Sequence, residues 1–338
     1  MKPTAIDLFC GCGGLTQGLK DAGFRVCAGV ELRPEARETY ASNHPRTKLF
    51  HDVRMVTGDD LVNTLRGVPL DLLAACPPCQ GFSTLRTNKV KTSFTDDRNR
   101  LIFQVSRLVS ELKPRAVLIE NVPALKDDWR MADFRTRLHK LGYRTAVDVL
   151  DAADFGVPQR RKRMILIALL GGQGEVCLPL KKNHRRKTVR AAIGKLPSSE
   201  SEHAPLLHRM RQNLSPSVLA RVAQIPKDGG SRRSLSPEHQ LKCHQYKVGF
   251  NDVYGRMSWD SVAPTLTRCC HNPSKGRFLH PTENRGITLL EAMLLQGFPA
   301  TYKFLGTGIG KIASMIGESL PPQLAKAQGE HIRGLLGK

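Results

Sequence analysis

The sequence predicts an α/β protein built on an open, parallel sheet, and three stretches carry that prediction. Thr4-Ala-Ile-Asp-Leu-Phe9 is a short strand pattern that runs into Cys10-Gly-Cys-Gly-Gly14 and then into Leu15 to Ala22, whose apolar residues fall at helical spacing. Asp71-Leu-Leu-Ala-Ala-Cys-Pro-Pro-Cys-Gln-Gly-Phe-Ser83 is an apolar run that stops at two prolines, which cannot continue a ladder, so the chain leaves the sheet there. Ala116-Val-Leu-Ile119 is a further buried strand, ending at Glu120-Asn121-Val122-Pro123. In open parallel sheets ligands bind at the carboxyl ends of such strands.

Size and composition bound the function. With 338 residues the chain can bury a substantial core, as one large domain plus a smaller one. A formal charge of +22 points to a polyanionic partner such as nucleic acid, although basic charge also suits membrane surfaces. No apolar run approaches the roughly 20 residues that span a bilayer, and the N-terminus enters a strand pattern without a signal peptide. A cytosolic protein is expected. Nine cysteines, odd in number and scattered, fit reduced thiols rather than a disulfide framework.

The elements follow in order. Glycines between the first strand and helix let the backbone approach a ligand, and the helix start presents unpaired N–H groups to it. The loop lacks the full Gly-x-Gly-x-x-Gly fingerprint, so NAD is not favoured. Phe24 to Val30 is a second strand ending in Glu31, an acid about 20 positions beyond a glycine loop, where Rossmann-like folds bind ribose hydroxyls; a plain helix N-terminal charge is the other reading. Another short strand after Asn43 precedes His51-Asp52-Val53.

Cys79, at a strand's carboxyl end, is the candidate nucleophile. Cys76-Pro-Pro-Cys79 also has the spacing of a redox pair or half a zinc site, but no second ligand pair exists and the chain is not a thioredoxin-sized unit. The loop alone leaves catalytic and structural cysteine equally open. Leu85 to Asn99 is polar, basic and aperiodic, as a functional lid is. Leu101 to Leu112 is an amphipathic helix ended by Pro114. A carboxylate at Glu120, on the same sheet edge, needs explaining; a buried carboxyl holds a proton more readily, which suits acid–base work. Tyr143 to Asp151 is a strand, and Phe155-Gly-Val-Pro-Gln-Arg-Arg-Lys-Arg163 precedes the apolar Met164 to Leu170; the basic cluster alone fits a solvated turn. From Lys181 periodicity weakens, and residues 181–284 carry 19 lysines and arginines against 7 acids. That charge should bind phosphates and make binding salt-dependent.

Pro78-Cys79-Gln80 resembles the catalytic motif of the cytosine-C5 DNA methyltransferases, and further segments similar to that family follow in the family's order along nearly the whole chain. The resemblance implies a Rossmann-like S-adenosylmethionine-dependent methyltransferase fold with a smaller inserted target-recognition domain. Asp-Leu-Phe-x-Gly-x-Gly-Gly resembles the cofactor loop, implying that Phe9 packs on the cofactor with Gly11, Gly13 and Gly14 beside its methionine part. Glu31 then holds the ribose, Asp52 and Val53 the adenine edge, and Pro78 and Leu101 complete the pocket. Leu32 departs from the family's usual aromatic residue. Lys311 to Pro321 resembles the last cofactor motif, giving Ser319 as a contact and Glu318 in place of the usual Asn, where a carboxylate either pairs with the cofactor's amino group or repels its carboxylate. Glu120 is implied to contact cytosine N3, with Asn121 as buttress, Arg163 facing O2 and Arg161 the attacked side of the ring. Pro77, Gln80, Ser83 and Arg98 fall on the substrate side, Arg98 also reading as a solvated helix-start residue. Arg256 to Thr267 resembles the scaffold of the recognition region, and Ile287 to Pro299, capped by Thr288 and Gly297, the hinge that returns the chain.

The expected organisation is a catalytic domain at 1–180 and 285–338, interrupted by target recognition at 181–284. The expected activity is 5-methylation of a flipped-out cytosine in a specific double-stranded DNA sequence through a Cys79 adduct at C6, with S-adenosylmethionine as cofactor, S-adenosylhomocysteine as product and no metal. A bacterial, nucleoid-associated monomer of the restriction-modification or orphan kind follows, with a cognate restriction endonuclease as possible partner and no membrane contact. The rival readings are a tRNA methyltransferase of the same family, a non-catalytic DNA-binding relative, and a zinc or redox protein built on Cys76 and Cys79.

Overall fold

The structure, a computed structural model, describes residues 2–78, 101–181, 185–241, 252–306 and 308–337. Two compact units divide the chain: Met1–Phe155 with Lys162–Asn183 and Leu320–Lys338, and Gly156–Arg161 with His184–Ser319.

The first unit holds a seven-stranded sheet in the order β3-β2-β1-β4-β5-β7-β6. Its strands are β1 (Thr4–Leu8), β2 (Arg25–Val30), β3 (Lys48–Phe50), β4 (Leu72–Ala75), β5 (Ala116–Asn121), β6 (Tyr143–Asp151) and β7 (Lys162–Leu170). β1, β4 and β5 are buried along their whole length, which is why their sequences read as unbroken apolar runs. Strands β1 to β5 run parallel to one another, whereas β7 pairs antiparallel with both β5 and β6. The reversed β7 therefore starts where β5 ends, with Asn121 opposite Met164. This is a Rossmann-like methyltransferase architecture with an antiparallel edge. Its parallel order reverses between β1 and β4, the crevice where open α/β sheets bind ligands.

Helices α1 (Gly14–Asp21), α2 (Pro34–Asn43), α3 (Gly58–Leu65), α4 (Leu101–Leu112) and α5 (Trp129–Lys140) connect the strands. Thr57 and Asp60 form a capping box that starts α3, satisfying donors a helix N-terminus otherwise leaves open. α4 spans the residues its amphipathic pattern predicts, with Ile102, Val105, Leu108 and Val109 in the core. The C-terminal helix Pro322–Leu335 packs on α1. Gly18 permits this approach, because a Cβ there would lie 2.3 Å from the Pro322 carbonyl oxygen. Among the described residues no helix is long and apolar enough to cross a membrane.

The second unit is poorer in regular structure. Its longest described helices are Pro216–Ala223, Leu289–Gln296 and Ile309–Glu318. Helix Leu289–Gln296 opens with a Thr288–Glu291 capping box and closes at Gly297 in the left-handed region, φ 90°, the caps its sequence announced. Around Val222, Ile225, Leu235, Tyr254 and Leu279 lies a small apolar cluster, beside which the fully buried Arg256 donates to the carbonyls of Val222, Ile225 and His280. By compactness the chain rejoins the first unit at Leu320, so 285–319 fold with the smaller unit although their composition resembles the larger.

Candidate active site

The site in the first unit is built at the carboxyl ends of β1, β2, β4 and β5. Past β1 the chain turns sharply: Phe9 (φ 59°), Gly11 (φ 55°) and Gly13 (φ 99°) all occupy the left-handed region. That conformation costs a glycine little and a phenylalanine more, so the strain at Phe9 sits where the loop presents its ring. Cys10 N donates to Val30 O at 3.0 Å and Gly13 N to Cys10 O at 2.9 Å, pinning the turn to β2. Gly14 opens α1 behind a glycine N-cap, Gly13, in the left-handed region. Cys10 and Cys12 are buried, as small loop fillers should be.

Glu31 closes the loop from the end of β2. Its Oε2 accepts from Gly11 N at 2.9 Å and its Oε1 from Arg33 N at 3.0 Å. The carboxylate is thus fixed beside the glycines, with the Arg33 side chain 3.4 Å from Oε1 as well. Asp52, after β3, is held by Arg54, whose Nη2 lies 2.6 Å from Oδ2; this pairing keeps the carboxyl below the usual aspartate range. Val53 is buried, and its carbonyl accepts from Arg107 on α4 at 3.0 Å. Leu101, the first residue of α4, packs on the sheet core.

At the ends of β4 and β5, Asn121 Nδ2 donates to Pro77 O at 2.9 Å while its Oδ1 accepts from Val122 N at 2.8 Å. One side chain therefore ties the proline turn, which also contains Pro78, to the strand that carries Glu120. Glu120 is 8 % exposed, and Arg163 reaches it from β7 with Nε 2.8 Å from Oε1. The Cys76 thiol hydrogen-bonds the same carboxyl; loss of solvation and the Glu120 and Asp7 charges push that thiol well above its ordinary range. The sequence placed an acid here without its partners; the structure pairs it with a cation.

Asp7 was missed by sequence reading, although an acid inside the apolar β1 pattern is a visible signal. It is fully buried, accepts from Thr16 Oγ1 at 2.6 Å, and its Oδ1 has no partner among the described residues. Burial first, and the Glu31 charge besides, raise its carboxyl to about 7.

Several expected residues fall elsewhere. Arg161 belongs to the second unit, where its Nη1 and Nη2 donate to the carbonyls of Leu266 and Gly317, each at 2.9 Å, and it is 2 % exposed. Both terminal nitrogens thus meet main-chain carbonyls of the second unit. Glu318 and Ser319 also belong to the second unit; Glu318 lies 3.5 Å from Arg268, and the Ser319 carbonyl accepts from Gln296. Cys79, Gln80, Ser83 and Arg98 lie outside the described residues.

Residues 4–334 match the family model of the C-5 cytosine-specific DNA methylases. The chain is 34% identical to the Type II methylase M.HgiDII of Herpetosiphon aurantiacus, over 99% of this chain and 96% of that protein. It is 32% identical to the Type II methyltransferase M1.HphI of Haemophilus parahaemolyticus, over 98% and 87%. Among solved structures it resembles a DNA modification methyltransferase encoded within an E. coli prophage, with TM-score 0.71, 25% identity and coverage of 99% and 100%. The S. pombe Dnmt2 methyltransferase shares the fold at TM-score 0.68 and 18% identity, each chain covered in full. The chain belongs to the C-5 cytosine-specific DNA methylase family.

Proposed function

We propose that the chain methylates carbon 5 of a cytosine in a specific duplex DNA sequence, using S-adenosylmethionine. The observation that carries this is the Glu120–Arg163 pair, tied through Asn121 to the turn that leads directly into Cys79.

The first unit has a donor set that fits the cofactor: left-handed glycines, a helix start behind the Gly13 N-cap and a fixed carboxylate at Glu31. When bound, S-adenosylmethionine supplies an electrophilic methyl group on a sulfonium. Phe9, Gly11, Gly13 and Gly14 would lie along its methionine part, Glu31 would accept from the ribose hydroxyls, and Asp52 and Val53 would meet the adenine, with Pro78 and Leu101 completing this part of the pocket.

Cytosine C5 is a weak nucleophile until the ring is activated, and covalent catalysis supplies that activation. The Cys79 thiolate would add to C6 while Glu120 supports a proton at N3 and Arg163 faces O2, so that electron density moves to C5, the carbon that would accept the methyl group as S-adenosylhomocysteine leaves. A base then removes the C5 proton and the Cys79–C6 bond breaks. Since a duplex hides C6, the base must leave the stack, at a cost of a few kcal/mol; Pro77, Gln80, Ser83 and Arg98 are the substrate-side residues. Segment 181–284 is assigned to target recognition, and 1–180 with 285–338 to catalysis. The relatives' names point to Type II modification. Our reading adds a cognate endonuclease cutting the same site, and a methylase that acts as a monomer on the nucleoid in a bacterial cytoplasm.

Covalent capture tests this reading. Duplex DNA with 5-fluorocytosine at the target blocks the last proton removal, so the protein with cofactor should form a denaturation-resistant complex. Cys79→Ser should form none. Capture by the serine variant, or methylation without capture, would contradict the covalent route.

A further inference from the structure

A half-open cleft of about 580 Å³ in the second unit is walled by Arg160, Arg185, Arg186, Arg256 and Arg277, with Asp260 as the carboxylate among its described lining residues. That carboxylate is already answered by Arg190, whose Nε and Nη2 meet its two oxygens at 2.8 and 2.9 Å. Arg277 Nη1 donates to the carbonyls of Gly229, Gly230 and Arg256, and its Nε meets Asp252 at 3.1 Å. Arg256 likewise spends its donors on carbonyls. Asp252 offsets Arg277, but carbonyl oxygens satisfy the Arg256 hydrogens without cancelling its charge, and Arg160, Arg185 and Arg186 add theirs, so the wall stays net positive.

Arg160 and Arg185 are exposed at this cleft. Arg160 stands on a pinned segment: its N donates to Ala263 O at 2.9 Å and its carbonyl accepts from Thr265 Oγ1 at 2.6 Å. Pockets for small organic ligands are mostly apolar, and this one is lined by cations. Guanidinium forks match phosphate oxygens in geometry and charge. Resting on the function proposed above, we propose that this cleft holds the phosphodiester backbone of the DNA, with Arg160 and Arg185 as direct phosphate ligands.

The test uses the full chain carrying Arg160→Gln with Arg185→Gln, and a control pair, Lys195→Gln with Arg209→Gln, that removes equal charge from exposed positions off the cleft. Duplex affinity is measured against salt concentration, alongside single-turnover methylation at saturating DNA. The cleft variant should bind about tenfold more weakly, with a salt slope lower by about two, since each lost phosphate contact removes roughly 0.9. Its thermal midpoint should match wild type, and the control pair should shift affinity and slope less. Wild-type affinity and slope in the cleft variant, or an equal loss in the control, would overturn the cleft while leaving the methylase reading intact. A loss confined to tRNA binding would overturn DNA as the occupant. Failure of the wild-type chain to bind and methylate duplex DNA would overturn both.

Discussion

Arg163 Nε lies 2.8 Å from Glu120 Oε1 because β7 runs antiparallel to β5 and brings its first residues to the end of its neighbour. In a parallel arrangement the opposite end of β7 would lie there. Glu120→Gln keeps the shape of the side chain and removes its charge and its acid–base capacity. Single-turnover methylation should fall about 10²- to 10⁴-fold, the range of general acid–base catalysis, while cofactor affinity stays near wild type. A rate within threefold of wild type would move the N3 proton work to another group.

Arg163→Lys tests the geometry of the pair. An ammonium is a compact point charge without the planar fork, so it cannot meet Glu120 and, on the proposed reading, the cytosine O2 in one plane. Methylation should fall at least about tenfold at saturating DNA and cofactor. An unchanged rate would mean that charge alone suffices.

Glu31 anchors the glycine loop through Gly11 N. In Glu31→Gln the amide can no longer accept at both positions. Hydrogen bonds to a charged group contribute about 1.5–3 kcal/mol, so S-adenosylmethionine affinity should weaken about tenfold or more, with the saturated rate largely kept. Calorimetric titration of the cofactor checks this, and unchanged affinity would remove Glu31 from the ribose site.

Asp7 gives a pH signature. Its carboxyl moves from the ordinary 3.8 to about 7 in the folded chain, chiefly through burial. A raised carboxyl pKa means that the folded state holds the proton more tightly than the unfolded chain. The group's contribution is therefore full below about pH 4, declines as pH rises towards 7, and is level above. Asp7→Asn can still accept from Thr16 and does not ionise, so its stability relative to wild type should rise between pH 4 and 7. Denaturant unfolding at several pH values reads the difference, and a flat difference would contradict the titration.

Arg256 is the hub of the second unit. Arg256→Met would remove a donor from the carbonyls of Ile225 and His280, while Val222 O keeps the Ile225 N–H. An unsatisfied buried polar group costs about 1–3 kcal/mol, so a loss of roughly 3 kcal/mol or more is expected in chemical denaturation. A loss below about 1 kcal/mol would mean that the carbonyls find other donors.

Periodicity exposed most of the first unit. Leu101–Leu112 and Tyr143–Asp151 form their elements at the expected bounds, since amphipathic spacing and a proline or turn at each end define such elements locally. Strand direction was not legible: the apolar Met164–Leu170 reads alike either way, yet its direction creates the Glu120–Arg163 pair. The basic run around Arg161 and Arg163 looks uniform in sequence, and only tertiary contacts send one guanidinium to Glu120 and the other to main-chain carbonyls. The change of composition near 284 does not coincide with the change of compact unit, because Arg161 and Gln296 bind residues of 266–319 into the smaller unit.

The most direct measurement is transfer of labelled methyl from S-adenosylmethionine to duplex DNA and to tRNA side by side, with bisulfite sequencing of the product. Label on carbon 5 of one cytosine within a short recurring duplex sequence is the predicted result. Label confined to tRNA, or no label in DNA from a chain that binds the cofactor, would contradict the proposed activity.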